Sequence, residues 1–261
     1  NMKNILKFIF FVTVLTTTGF GSIASEQSQK LLNPGWSFKG FFGKFDRSSL
    51  QRGYQVYTEV CAACHSMKYL SYRNLAQQGG PEFSEDQAKI IASQFEVIDG
   101  PNSEGDMFTR PARLSDNFVG PYANDEAAKS ANGGAYPPDM SVLVKARKGG
   151  ASYIYSILLG YDDPPPDVSL EDGVYYNTYM SENKIKMPKP LSENLVQYSD
   201  GTQATEEQMA KDVSTFLAWA AEPNLEQRHK MGFRAVLYLI IITILVYFSM
   251  KKIWSRIETD V

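Results

Sequence analysis

Two cysteines and a histidine stand close together in the stretch Cys61-Ala62-Ala63-Cys64-His65. The order C-x-x-C-H is the attachment pattern of a c-type haem. Two thiols at this spacing can add across the two vinyl groups of one haem as thioethers, and His65 can then bind the iron through an imidazole nitrogen. The motif therefore predicts one covalently bound haem c, attached through Cys61 and Cys64 and ligated by His65.

Two other chemistries also use a C-x-x-C pair, a zinc site and a redox dithiol. A structural zinc ion takes four ligands, but the chain has only two Cys, and the second of its two His, His229, stands beside an apolar segment. A thioredoxin-like dithiol is expected in a βαβ pattern, and none is readable around Cys61. Haem attachment is therefore the favoured interpretation.

A haem used for electron transfer usually keeps a second axial ligand. Because His229 borders the apolar segment, a methionine thioether is the preferred ligand, and a Met/His pair also raises the reduction potential of a haem. Of nine methionines, the ones free of a competing role are Met107, Met140, Met180 and Met187. Met187 is favoured because Pro188 stiffens its loop. On local pattern alone the other three stay open.

The helix that should position the first thiol begins near Asp46 or Ser48, either of which can cap it. The residues that follow on one face at helical spacing are Leu50, Tyr54, Tyr57 and Cys61. We therefore predict that this helix carries Cys61 on its buried face. The stretch Met67–Leu75 is predicted to continue it or to form a second short helix.

Other stretches with an apolar helical period are Ser84–Phe95, Asp125–Ala131, Ser152–Gly160 and the segment from Thr205 to the residue before Pro223. Thr205-Glu206-Glu207-Gln208 has the form of a capping box. The connections are long: most of 99–138 has loop composition, 161–173 is acidic and stiffened by prolines, and 175–191 is extended or turn-like. The predicted fold class is mostly α, with long loop insertions.

Composition sets broad limits on function. A chain of 261 residues with 43% hydrophobic residues can form one large or two small globular domains. Its formal charge of −3 offers no basic excess for nucleic acid, so no nucleic-acid partner is expected. The sequence contains one C-x-x-C-H, which indicates one haem.

The beginning of the sequence has the pattern of a secretory signal. Lys3 and Lys7 precede an apolar run, and small residues follow as far as Ser22-Ile23-Ala24. We predict a signal peptide over residues 1–24, which would deliver the following domain outside the cytoplasm.

A second apolar segment, Ala235–Met250, lies near the other end and is interrupted only by Thr243 and Ser249. It is long enough to cross most of a hydrocarbon layer about 30 Å thick. We therefore predict a haem domain over 25–230, a transmembrane anchor over 231–252 in contact with membrane lipid, and a cytoplasmic tail over 253–261. Basic residues flank both ends of the anchor, so the orientation depends on the signal peptide.

Further stretches add to the haem motif, namely Trp36-Ser37-Phe38, Leu50–Tyr57, Arg110-Pro111-Ala112, Tyr136-Pro137-Pro138-Asp139, Ala146-Arg147 with Gly149-Gly150, and Phe216–Pro223. Together they resemble the cytochrome c1 family, the haem c subunits of cytochrome bc1 complexes, in their bacterial form. The resemblance covers nearly the whole chain after the signal. C-x-x-C-H is common to c-type cytochromes, whereas the other stretches are specific to this family.

The resemblance implies a cytochrome c-like helical domain with one C-terminal transmembrane helix. It matches Ile185-Lys186-Met187-Pro188 to the loop that supplies the methionine ligand, so iron would lie between His65 and Met187. It also matches Arg147 to an arginine that reaches a haem propionate, and Pro138 and Tyr153 to residues that line the haem pocket. Some bacterial members steady the ligand loop with a disulfide, which this chain cannot form because both of its cysteines are committed to haem.

The resemblance further implies partners and a location. Electrons would pass from the Rieske iron–sulfur subunit to a soluble or membrane-bound cytochrome c, within a dimeric quinol–cytochrome c reductase that also contains cytochrome b. The domain would face the periplasm from the bacterial inner membrane. No catalysis is expected from this chain alone. The alternatives are a stand-alone membrane-anchored cytochrome c and a haem redox enzyme with an open iron site.

Overall fold

Helices dominate the computed structural model, which describes residues 29–166 and 168–257. The predicted signal peptide, residues 1–24, lies outside the described residues, as does the end of the predicted tail, 258–261. Residues from Leu31 onward form one compact unit. The mostly α fold class expected from the sequence is confirmed.

The α-helices are α1 (Arg47–Glu59), α2 (Glu85–Ser93), α3 (Asp125–Ala131), α4 (Leu143–Ala146), α5 (Ala151–Leu159), α6 (Glu206–Ala221) and α7 (Leu225–Ile257). Short 3₁₀ turns cover Cys61–Ala63, Tyr72–Ala76 and Ser181–Asn183. Two antiparallel pairs complete the described structure, β1 (Glu96–Asp99) with β2 (Phe108–Pro111), and β3 (Tyr175–Tyr176) with β4 (Lys184–Ile185).

Helix α1 begins at one of the two caps predicted for it. The Asp46 side chain accepts from the backbone N–H of Ser48, while Leu50, Tyr54 and Tyr57 are buried as expected. The helix ends at Glu59, however, so the prediction that it carries Cys61 is wrong, although Cys61 is buried as expected. Cys61 instead begins a 3₁₀ turn, because its carbonyl accepts from the N–H groups of both Cys64 (3.1 Å) and His65 (2.9 Å).

The core of the domain is formed where α1 crosses α6, with α5 packed on α6. Gly53 allows the close crossing, since a Cβ at this position would overlap the carbonyl oxygen of Asp212. The Asp212 side chain is fully buried and accepts from Ser49 Oγ (2.6 Å) and Arg52 Nε (2.8 Å) on the facing helix. The crossing is therefore fixed by shape and by a buried ion pair.

Asp212 also changes the start of α6. Thr205 caps the helix by accepting from the N–H of Gln208, as predicted. The Gln208 side chain does not complete a capping box, because its Nε2 donates to Asp212 at 2.9 Å. The Gln208 side chain thus bonds to the buried carboxylate of Asp212 and not to the backbone of Thr205.

Some of the remaining secondary-structure predictions are confirmed and others are wrong. The helices expected at 84–95, 125–131 and 152–160 are present as α2, α3 and α5, with Ser84 and Gln87 forming a full capping box on α2. The helix expected over Met67–Leu75 is wrong, since only Tyr72–Ala76 forms a 3₁₀ turn and Ser71 bridges to Asn117. Strand β2 lies in the stretch 99–138 that was expected to be mostly loop, and β1 lies between that stretch and the helix predicted over 84–95.

Helix α7 is longer than the predicted anchor and begins within the domain. Leu225 is buried, whereas the side chains from Met231 to Arg256 are exposed. By length and composition α7 can cross a membrane, and its most apolar window is not buried against the rest of the chain. The expected C-terminal helix of membrane-spanning character is therefore present, and it is the one such helix among the residues that the structure describes.

Candidate haem site

The two cysteines of the motif differ in environment. Cys61 is buried in the main hydrophobic cluster, Cys64 is exposed, and neither forms a disulfide. Burial, together with the neighbouring Cys64, raises the pKa of the Cys61 thiol to about 12. The unmodified Cys61 thiol is thus protonated at neutral pH, while the Cys64 thiol is open to solvent.

The His65 ring is oriented by a backbone carbonyl. Its Nδ1 lies 2.8 Å from the carbonyl oxygen of Pro138, which can only accept, so Nδ1 carries the proton and Nε2 keeps a free lone pair. Burial lowers the pKa of His65, although the bond to Pro138 and the charge of Asp139 oppose this shift. The result is a neutral imidazole whose Nε2 is available to a metal.

Asp139 and Tyr57 hold the backbone on both sides of His65. Asp139 Oδ2 accepts from Ser66 Oγ and from the Lys68 N–H, both at 2.8 Å. Tyr57 donates its hydroxyl to the carbonyl of His65 at 3.2 Å. The sequence placed Tyr57 on the buried face of its helix but predicted neither this bond nor the contacts of Asp139, which directly follows Pro138. These contacts place the 138–139 segment and α1 around the motif.

The loop with Met187 is tied to α5 and to Tyr161, two residues beyond the end of α5. Tyr161 donates its hydroxyl to the Met187 carbonyl at 2.9 Å. Asn177, which is fully buried, donates to the Ile157 carbonyl at 2.8 Å and bridges to Tyr161. The loop thus has hydrogen-bonded support without a disulfide, a contribution of Tyr161 that the sequence analysis missed.

The Met187 side chain is partly buried and packs against the cluster that contains Cys61. No hydrogen-bond donor within residues 29–166 and 168–257 reaches its sulfur. By contrast, the sulfur of Met180 accepts from the Tyr153 hydroxyl at 3.5 Å.

The other two methionines left open by the sequence have different surroundings. Met107 is 60% exposed beside β2. Met140 is buried and its N–H donates to the Ser66 carbonyl at 2.8 Å, which places it in the segment that holds His65. Among the four methionines left open, Met187 is thus the one that is partly buried against the main cluster and whose sulfur accepts no hydrogen bond from the described residues.

The remaining predicted site residues lie in three settings. The Pro138 carbonyl faces the His65 ring, as described above. Tyr153 packs against the same cluster as Met187 and contacts Met180. Arg147 is exposed, and its guanidinium makes one long contact of 3.4 Å with the adjacent Ala146 carbonyl.

The donor set fits a haem c. Two thiols without other partners, a neutral histidine with Nε2 left free, and an unengaged thioether beside the same apolar cluster are the chemistry that covalent attachment and axial ligation need. A helical domain folded around such a C-x-x-C-H turn has the architecture of a c-type cytochrome.

Comparisons narrow this class. Residues 36–257 match the Cytochrome C1 family. The chain is 45% identical to cytochrome c1 1, a mitochondrial heme protein of Arabidopsis thaliana, over 95% of this chain and 80% of that protein. It is 43% identical to cytochrome c1 of Rhodospirillum rubrum, over 92% of this chain and 93% of that protein.

A third relative, the protein named cytochrome b/c1 of Bradyrhizobium diazoefficiens, is 46% identical over 89% of this chain. The chain spans about a third of that relative, 36% of its length. These matches show that the chain belongs to the cytochrome c1 family, and its cofactor is one covalently bound haem c.

Proposed function

We propose that the chain is the haem c electron-transfer subunit of a bc1 complex, and that it takes electrons from a Rieske iron–sulfur subunit and passes them to a cytochrome c. Relatives carry the names cytochrome b/c1 and cytochrome b-c1 complex catalytic subunit, which supports assembly with a cytochrome b. Bound haem c supplies a one-electron couple. The residues of this chain attach, ligate and enclose it.

In this proposal Cys61 and Cys64 form the two thioethers, and His65 Nε2 and Met187 Sδ are the axial ligands. The observation that carries it is the His65–Pro138 hydrogen bond, which fixes the tautomer that can bind iron. Arg147 has no ion pair in the described part of the chain and is free to reach a propionate, and Tyr153 and Pro138 line the pocket.

If His65 and Met187 both bind the iron in addition to the four nitrogens of the haem ring, no open position would remain on it. This distinguishes the proposed carrier from a haem redox enzyme with an open iron site. The reduced protein should therefore bind carbon monoxide weakly, and the Met187→Leu variant should bind it readily, as followed in the haem absorption spectrum. Ready binding by the unmodified protein would instead favour the redox enzyme.

The ligand assignment has a direct test in the oxidised spectrum. Met187→Leu should lose the long-wavelength sulfur-to-iron band and lower the midpoint potential, because thioether sulfur favours Fe(II) and each tenfold change in that preference is about 59 mV. Met180→Leu is the matched control and should keep the band. Loss of the band in Met180→Leu instead would show that Met180, and not Met187, is the ligand.

We further propose that α7 anchors the chain in the bacterial inner membrane as a single span over 231–252, with the haem domain in the periplasm and residues 253–261 in the cytoplasm. The apolar character of α7 supports the span, and the signal-peptide pattern in residues 1–24 supports the orientation. Protease added to intact spheroplasts should digest the haem domain. Digestion of the tail alone would show that the chain has the opposite orientation.

The acceptor, a basic cytochrome c, would dock on an acidic surface of the haem domain. Residues 25–230 contain 27 Asp and Glu against 20 Lys and Arg, a difference of −7. Asp162, Asp163, Glu171 and Asp172 lie exposed in the loop after α5; Asp167 of the same loop lies outside the described residues. Neutralising these four carboxylates should slow association with a basic cytochrome c at low ionic strength, since the Debye length is about 10 Å at 0.1 M salt. Unchanged rates across a salt series would move the docking surface elsewhere.

A further inference from the structure

An open cleft lies between the turn at residues 41–44 and the first turns of α7. Its volume is about 650 Å³, and the lining residues used below are Phe42, Lys44, Glu226, Lys230, Phe233 and Arg234. The residues from α7 recur at a spacing of three, four or eight positions and so share one face of the helix. The cleft lies apart from the residues proposed to hold haem.

The cleft carries an excess of positive charge. Lys44, Lys230 and Arg234 take part in no ion pair within the described part of the chain. The one acidic residue in the lining, Glu226, is already engaged, since its two oxygens accept from Arg47 at 2.8 and 3.0 Å and one of them also accepts from the Phe45 N–H. An anion would therefore meet three cations, of which only Lys230 also acts on Glu226, since its charge helps to lower the pKa of that carboxyl.

An apolar wall adjoins these cations. Phe41 and Phe42 are 57% and 74% exposed, and their rings lie 6.2 and 6.0 Å from the ring of Phe233, centroid to centroid. Exposed aromatic rings are costly in water but are favoured at the boundary between a membrane and water. The cluster thus has the composition of a membrane-interface contact.

The position of the cleft along α7 agrees with that composition. Arg234 immediately precedes the apolar segment Ala235–Met250, so the cleft lies within about two turns of the point where the helix would enter hydrocarbon. Lipid phosphates occupy the layer just outside the hydrocarbon. A phosphate at this level would be next to the cations, and its acyl chains would be next to the phenylalanines.

We propose that this cleft binds the headgroup of an anionic phospholipid, with Lys44, Lys230 and Arg234 around the phosphate and Phe41, Phe42 and Phe233 against the upper acyl chains. The inference rests on the proposed anchoring by α7. It deepens that anchoring by naming a lipid class and a site on the haem-domain side of the membrane.

The test uses the full-length haem-loaded chain in detergent micelles, with phosphatidylglycerol or phosphatidylcholine added and bound lipid counted by native mass spectrometry. Phosphatidylglycerol should bind preferentially, and the Lys44→Gln, Arg234→Gln double variant should bind it about 30-fold more weakly, because each cation near a membrane surface contributes about a fivefold factor. The matched control is Lys251→Gln, Lys252→Gln, which removes the same charge from the other end of α7 and should retain the lipid.

Three results would overturn the proposal. These are equal lipid binding by both double variants, equal retention of phosphatidylcholine, and displacement of the lipid by glycerol phosphate at matched concentration, which would indicate a site for free phosphate. With Phe42 replaced by the photo-crosslinker p-benzoylphenylalanine in native membranes, a lipid adduct is expected, whereas an adduct to another protein would show that a neighbouring subunit fills the cleft.

The proposed function is checked separately on the same samples. Both double variants should float with liposomes and keep the haem spectrum of the unmodified chain. Loss of flotation by the unmodified chain would overturn the anchoring and the lipid site together. Flotation without selective lipid binding would overturn only the lipid site.

Discussion

At the scale of single residues, the proposed ligands His65 and Met187 are positioned by hydrogen bonds in which a backbone carbonyl is the acceptor. The Pro138 carbonyl holds the His65 ring, the Tyr57 hydroxyl holds the His65 carbonyl, and the Tyr161 hydroxyl holds the Met187 carbonyl. Such bonds leave His65 Nε2 and Met187 Sδ unoccupied. Removing one should therefore change ligand geometry before it changes the fold.

Tyr161→Phe tests this for the methionine loop. The ring is kept but the hydroxyl that donates to Met187 is lost, at a cost of about 1 kcal/mol for one hydrogen bond. The midpoint potential should fall by at most about 40 mV if that cost is borne by the methionine-ligated Fe(II) state. Potentiometry and the long-wavelength band would measure it. Tyr69→Phe, which alters a tyrosine 75% exposed, should change neither.

Asp139 predicts a pH dependence of stability. Burial raises the pKa of its carboxyl, but hydrogen bonds from Ser141, Lys68 and Ser66 outweigh burial, so the folded-state pKa is below the ordinary value. Its contribution is thus present at neutral pH and is lost as the pH falls below about 4. Asp139→Asn should lower the free energy of unfolding by about 1–3 kcal/mol at pH 7 and by less at pH 3.

Urea titrations followed at the haem absorption band would measure this difference at both pH values. Asp106→Asn, at an exposed position, is the control and should have little effect at either pH. A loss of stability in Asp139→Asn that is the same at pH 7 and pH 3 would contradict a role for the ionised carboxylate.

At the scale of elements, the crossing of α1 and α6 sets the position of the haem motif, because the Cys61 turn follows directly from α1. The crossing depends on a residue without a side chain. A Cβ on Gly53 would overlap the Asp212 carbonyl and lie 2.7 Å from Phe216 Cβ. The two helices would have to separate to accept it.

Gly53→Ala should therefore destabilise the domain by about 1–3 kcal/mol, the usual cost of overpacking a close contact. Thermal unfolding of the haem-loaded protein would report it as a lower Tm. Gly232→Ala in α7 is the matched control, since a Cβ there meets nothing within 4 Å. Equal Tm values for the two variants would mean that the helices separate at negligible cost.

At the scale of the whole molecule, α7 belongs both to the domain and to the proposed anchor. Its first turn contributes buried Leu225 and Glu226, and Glu226 pairs with Arg47, the first residue of α1. A truncation that removes the anchor should therefore keep the first turn of α7, because the haem domain would otherwise lose these buried contacts.

A chain ending at Lys230 should be a soluble domain that keeps its haem and its reduction potential. Glu226→Gln in that shortened chain should lower its free energy of unfolding by about 1–3 kcal/mol, because Arg47 and the Phe45 N–H lose a charged partner. Sedimentation and urea titration would measure solubility and stability. If the chain ending at Lys230 were insoluble, or if Glu226→Gln did not change its stability, α7 would not divide into a first part that stabilises the domain and a second part that forms the anchor.

Several features were predictable from the sequence because they depend on residues close together in the chain. The C-x-x-C-H spacing predicted the cofactor, and the apolar periods of α2, α5 and α6 predicted helices that are present. The apolar run in α7 predicted a helix able to span a membrane. In each case the interactions that decide the outcome span only a few positions, so local pattern suffices.

Tertiary structure decided what depends on partners far apart in the chain. Asp212 draws Gln208 out of a capping box and pairs with Arg52, 160 positions away. The His65 tautomer depends on Pro138, 73 positions away. The cationic cleft exists only because the Phe42 turn meets α7. Each partner is chosen by burial and by the need of buried polar groups for hydrogen bonds, and no periodicity records that choice.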